Sequence, residues 1–95
     1  MEKQKFIVRC DRAGVFYGEI EERNGREVKM RNVRCLWYWD GAATILQLAA
    51  EGTTEPRNCK FTMTIDSLEV LDAIEIIPCT AEAIESIEGV KEWKR

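Results

Sequence analysis

Apolar and polar positions alternate at period two from residue 5 to about residue 39, change to a helical spacing, and return to alternation after residue 58. Lys5 to Asp11 is apolar and β-branched enough for a first strand, and Arg12-Ala13-Gly14 makes a turn. Val15 to Glu22 and the segment from Arg26 flank Asn24-Gly25, a strong hairpin signal. A two-residue Asn24-Gly25 loop sets Glu22 against Glu27 and Ile20 against Lys29. A three-residue loop, Arg23-Asn24-Gly25 with Gly25 left-handed in a bulge, pairs Glu22 with Arg26, Ile20 with Val28, Val15 with Val33 and Glu19 with Lys29. Matched cross-strand pairs contribute roughly 0.2–1 kcal/mol each, so the pattern predicts the bulged register.

Continuing the alternation places Cys35, Trp37 and Trp39 on one face of the third strand and Arg34, Leu36 and Tyr38 on the other. Asp40 suits the N-cap of a helix running from Gly41 to Glu51, with Gly52 as its stop. The polar residues of that helix, Thr44, Gln47 and Glu51, form one narrow stripe, and Ala and aliphatic residues occupy the rest. A helix apolar nearly all round is buried. Two covers remain open: the C-terminal helix, or a second copy of the chain lying on Leu36, Tyr38, Ile45, Leu46, Leu48 and Ala49. The second cover implies a homo-oligomer.

Thr53 to Asn58 reads as a polar loop. Cys59 to Ile65 alternates with Phe61, Met63 and Ile65 inward, Asp66-Ser67 turns the chain, and Leu68 to Ile77 returns as a last strand. Pro78 ends it, Thr80 caps a final helix through about Glu88, and Val90 with Trp93 tacks the tail onto the body. The order strand, strand, strand, helix, strand, strand, helix predicts a single α+β domain over residues 1–95. Its core is a five-stranded, mostly antiparallel sheet or a small, partly open barrel of the OB kind.

Composition narrows the class. Apolar content of 45% with 33% charge is that of a globular domain, and no apolar run approaches the ~20 residues of a membrane span. The first residues carry no signal-like apolar stretch, so a cytoplasmic location is expected, with no membrane partner. Fourteen basic against 17 acidic residues, a net charge of −3, argue against generic binding to a phosphate backbone. A basic stretch over residues 23–34 precedes an acidic one over residues 66–92. Cys10, Cys35, Cys59 and Cys79 are far apart in sequence, there is no His, and neither a zinc site nor a disulfide framework is expected.

Candidate chemistry favours binding over catalysis. Without His the commonest general base is missing, and Cys79, just before the last helix, is the one thiol near a helix N-terminus. No enzyme activity, cofactor or metal is therefore expected. Trp37, Tyr38 and Trp39 offer stacking surfaces, and Arg34 and Arg31 lie close enough along the strand to supply positive charge. Together these five residues form the candidate site for a nucleobase and its phosphate.

The segments Phe6 to Phe16, Cys35-Leu36-Trp37-Tyr38-Trp39-Asp40-Gly41-Ala42 and Leu71 to Pro78 resemble a family of small uncharacterised proteins of bacteriophages and prophage-bearing bacteria. That family brings no catalytic residues. By analogy, the resemblance implies a compact, oligomeric, non-enzymatic accessory protein acting against host immunity. Such a protein would sequester a nucleotide-like signal or block a defence protein. The alternatives from other classes are a single-stranded nucleic-acid module on an OB-like barrel, which the net charge opposes, and a structural or assembly component.

Overall fold

A computed structural model describes residues 4–95, and within them six strands and two α-helices form an α+β unit. In chain order these are β1 (Phe6–Cys10), β2 (Val15–Asn24), β3 (Glu27–Tyr38), α1 (Ile45–Glu51), a 3-10 turn (Pro56–Asn58), β4 (Lys60–Phe61), β5 (Ile65–Val70), β6 (Ala73–Pro78) and α2 (Ala81–Gly89). The strands pair antiparallel in the order β6-β1-β2-β3, and β4 and β5 share the far edge of β3. The sheet does not close into a barrel: β5 and β6 are joined through Leu71-Asp72 but are not paired with each other.

The β2–β3 hairpin differs from the expected register. Its loop is Gly25-Arg26, with Asn24 opposite Glu27, Glu22 opposite Lys29 and Ile20 opposite Met30. Gly25, at φ 63, takes the first loop position, the place a II′ turn reserves for glycine. The charge logic survives the slip, since Glu22 still meets a base. Farther along, Asn32 (φ 48) lies in a register shift opposite Gly18. A Cβ on Gly18 would fall 2.9 Å from the Arg31 carbonyl oxygen, so only glycine lets the two strands approach here.

The expected five strands become six because Cys59 to Ile65 is broken after Phe61. The Thr62 hydroxyl accepts the Cys35 N–H at 2.8 Å and donates to the Met63 carbonyl at 3.1 Å, taking a ladder position from the backbone. Met63 and Ile65 are consequently exposed rather than inward, and Asp66 and Ser67 lie inside β5 rather than at a turn. The turn falls at Leu71-Asp72, where the Asp72 carboxylate accepts the Arg12 N–H. The single strand expected over Leu68 to Ile77 is accordingly divided between β5 and β6.

α1 begins at Ile45, four residues later than the pattern predicts. Thr44, not Asp40, is the N-cap, its hydroxyl accepting the Gln47 N–H at 3.1 Å. The Asp40 carboxylate turns back onto Gly41 N–H, while the Asp40 and Gly41 carbonyls accept from the Thr53 hydroxyl and Thr54 N–H of the following loop. α2 agrees with expectation, with Thr80 accepting the Ala83 N–H.

The two sheet faces hold separate cores. Val8, Cys10, Val28, Met30, Val33, Val70 and Ala73 cluster on one. On the other, Ile7, Tyr17, Leu36 and Phe61 meet Leu48 and Ala49 of α1, Ala83 and Ile87 of α2, and Val90. The C-terminal helix is thus the cover that α1 needs. Of the residues expected at an interface between copies, Leu36, Leu48 and Ala49 are buried within one chain and Ile45 is partly buried against the same core. Tyr38 and Leu46 remain exposed.

Candidate functional site

At the C-terminal end of β3 the sheet narrows to β3 and β4, with Leu36 opposite Phe61 and Tyr38 opposite Lys60. The chain tail adds one further contact: Glu92 bridges to Phe61 in parallel sense, and Trp93 N–H donates to the Phe61 carbonyl at 2.8 Å. This places Trp93 on Trp37, ring centroids 5.1 Å apart and planes inclined by 26°. The Lys60 ammonium lies 5.5 Å from both centroids, within cation–π range of each ring. Trp37 is 61% exposed and Tyr38 49%, values far from those of core aromatics. An open groove of about 440 Å³ runs alongside, lined by Pro56, Arg57, Cys59, Gly89, Lys91, Glu92 and Trp93.

Charge is concentrated here. Residues 56–63 and 90–95 contribute Arg57, Lys60, Lys91, Lys94 and Arg95 against one acid, Glu92, leaving nine bases against sixteen acids over the rest of the chain. Glu92 pairs with Lys94 at 3.7 Å. No carboxylate pairs with Arg57, Lys60 or Lys91 among the described residues.

The residues singled out in the sequence divide. Trp37 lies on the patch, and Tyr38 is exposed and stands opposite Lys60 in the β3–β4 ladder. Trp39 is half-buried against the helix-side core. Arg31 is distant: six residues back along β3 is about 20 Å of strand. There its guanidinium pairs with Glu21 at 3.2 Å, in a cleft shared with Glu19, Asn32 and Asp66.

Arg34 is buried, and its donors are spent on backbone. Nε donates to the Thr62 carbonyl at 2.9 Å, one Nη to the Ile87 and Val90 carbonyls at 3.0 Å, and the other to Phe61 at 3.1 Å. Ile87 and Val90 carry carbonyls of the C-terminal turn of α2, which has no basic residue of its own there. Arg34 caps that helix from the sheet, where the macrodipole favours a cation. Burial pulls its pKa below the usual arginine value, and Glu92, Tyr17 and Glu88 push it back.

Beside it, the buried Tyr17 hydroxyl donates to Glu88 at 2.6 Å, and Lys5 reaches both Glu19 and Glu88. Burial first, then the Glu88 contact, raises the Tyr17 pKa far above the tyrosine range. This network ties β1, β2 and α2 together beneath the patch.

All four cysteines are free thiols, and Cys10, Cys59 and Cys79 are buried. Burial is the first cause that raises the Cys79 and Cys10 thiols to about 11, with Asp72 contributing at Cys10. A thiol so raised is the opposite of an activated nucleophile. Among the described residues no group of three His, Cys, Asp or Glu side chains is placed to hold a metal ion, and no helix is long and apolar enough to cross a membrane.

Trp93 tacks the tail onto the body as expected, but neither it nor Lys60, Arg57 and Lys91 is expected at the site from sequence. The available signal was an aromatic set among bases in the last residues, Lys91-Glu92-Trp93-Lys94-Arg95, a pattern more typical of nucleic-acid contact than of a core. In comparisons with known proteins, a family model described as a domain of unknown function, DUF6948, matches residues 3–87. No curated protein and no solved structure matches the chain.

Proposed function

Since the chain belongs to the DUF6948 family, a domain of unknown function, we propose its role from the geometry: a non-enzymatic binding protein for a nucleotide-like ligand. The observation that carries this reading is the solvent-facing Trp37–Trp93 stack with Lys60 placed over both rings. A flat π-surface takes a base, an unpaired ammonium takes its phosphate, and neither demands a proton shuttle or nucleophile. The phosphate partner is Lys60 in place of Arg34. A phage setting, which the sequence resemblance implies, would turn such binding against host immunity by holding a nucleotide signal.

The test is a titration with adenosine monophosphate and with a cyclic dinucleotide, followed by tryptophan fluorescence. Quenching that saturates, and that disappears in a Trp37→Ala variant that remains folded at the assay temperature, supports the reading. Equal affinity in Trp37→Ala, or no response to either compound and none to an oligonucleotide, contradicts it.

A further inference from the structure

We propose that the aromatic patch takes its nucleotides as part of a single-stranded nucleic acid, a reading that rests on the proposed function and names the ligand class of that same site. Three observations carry it. First, the site is an open surface: Trp37 and Tyr38 keep 61% and 49% of their surface in water, and the groove beside Trp93 is not enclosed on all sides. Sites that hold a free small molecule tightly bury most of it, typically 70–90% of its surface. A lone nucleotide on this platform would cover one face of its base and leave the other wet.

Second, the charges extend past the stack. Lys60 lies at the rings, whereas Arg57 and Lys91 line the groove beside Trp93 together with one acid, Glu92, which itself pairs with Lys94. These three cations have no carboxylate partner among the described residues. A phosphate at the rings meets Lys60, which is not part of the groove lining, and the next phosphates of a strand meet Arg57 and Lys91 in the groove of about 440 Å³.

Third, charge is segregated. Nine bases against sixteen acids elsewhere make the rest of the chain net acidic. In the basic stretch over residues 23–34, Lys29 and Arg31 pair with Glu21 and Arg34 is buried, which leaves the patch the denser cationic surface for a polyanion. The net charge of −3, which in the sequence spoke against nucleic acid, therefore restricts where a strand docks. A duplex is disfavoured, because its bases are already stacked on one another and offer no free face to Trp37.

The experiment is fluorescence anisotropy with labelled ten-nucleotide oligo-dT and oligo-rU, competed by thymidine and uridine monophosphate and by duplex DNA. Each additional base that stacks should strengthen binding about 5- to 150-fold, so the oligonucleotides should outcompete their monophosphates by at least that factor. About three phosphate contacts predict a slope near −2 for log affinity against log salt, an approximately 100-fold loss for each tenfold rise in salt.

Lys60→Glu and the double variant Arg57→Glu/Lys91→Glu should each lose about tenfold or more. Arg23→Glu, an equal charge change per site at the far hairpin, should lose little. These residues are all exposed, so the variants remain folded. Monophosphates that bind as well as the oligonucleotides overturn the strand reading while leaving the proposed function in place. Equal losses in Arg23→Glu and in the patch variants also overturn it, since a general charge effect would then explain binding. Binding of neither ligand class overturns both readings.

Discussion

Replacing Arg34 by Met tests whether this residue holds the fold or serves a ligand. The side chain is 5% exposed and its guanidinium engages four carbonyls. Two of these keep another donor after the change: Phe61 retains Trp93 N–H and Ile87 retains Val90 N–H. The Thr62 and Val90 carbonyls are left without a partner. A stranded buried acceptor costs about 1–3 kcal/mol, and relief of the desolvated charge returns part of that. The net loss is about 2–4 kcal/mol, out of the 5–15 kcal/mol usual for a domain.

At roughly 4–8 °C per kcal/mol in a domain of this size, the melting temperature should fall by about 8–32 °C. Thermal and urea unfolding followed by circular dichroism measure it directly. Arg34→Lys should fall between wild type and Arg34→Met, because one ammonium cannot reach carbonyls on both β4 and α2. A melting temperature for Arg34→Met within about 3 °C of wild type would refute the capping role. Loss of ligand binding in a fully stable Arg34→Lys would return this residue to the binding site.

Other outcomes follow from the same structure. Gly18→Ala places a methyl group 2.9 Å from the Arg31 carbonyl, and urea titration should show a loss of about 1–3 kcal/mol; an unchanged midpoint would mean that the β2–β3 approach is looser than described. Cys10 and Cys79 have folded pKa values raised to about 11, above the roughly 8.5 of an unfolded thiol, so their contribution is complete below about pH 8.5 and is lost as pH rises toward 11. The urea midpoint should decline across that window, and the decline should shrink in Cys79→Ala; a flat profile in wild type contradicts the burial of these thiols. Trp37→Ala should remove the near-ultraviolet dichroism of the stacked pair while costing no more than about 1.5 kcal/mol, since an exposed stack contributes little beyond its contact.

Much of the fold is legible in local pattern. Thr80, Pro78 and the Ala83–Ile87 stripe define α2 from sequence alone, and the alternation through β1 to β3 shows the three strands, though not the register shifts of the β2–β3 pair. The errors arise where long-range contacts decide. Thr62 keeps one backbone bond, its N–H to the Cys35 carbonyl, but its hydroxyl takes the Cys35 N–H in return, and nothing in Lys60-Phe61-Thr62-Met63 distinguishes it from an uninterrupted strand. Asp40 has the right chemistry for a cap, but the loop at Thr53 and Thr54 holds its neighbourhood and passes that role to Thr44.

The site divides for the same reason. Trp37 and Tyr38 announce themselves by residue type. Arg34 is two residues from Leu36 on the helix-covered face, so its burial follows from strand alternation once α2 is placed over that face. Lys60 becomes a neighbour of Trp37 through the β3–β4 pairing, and Trp93 through the bridge between Phe61 and Glu92, which joins segments more than thirty residues apart.

The central claim, that Trp37, Lys60 and Trp93 form the ligand surface, is tested most directly by heteronuclear NMR of the ¹⁵N-labelled protein titrated with oligo-dT. Binding at this surface shifts the Trp37 and Trp93 indole N–H signals together with the amides around Lys60, while the signals of the β2–β3 hairpin tip at Gly25 stay in place. Shifts centred on the hairpin or on α2, with both indole signals unmoved at saturation, would contradict it.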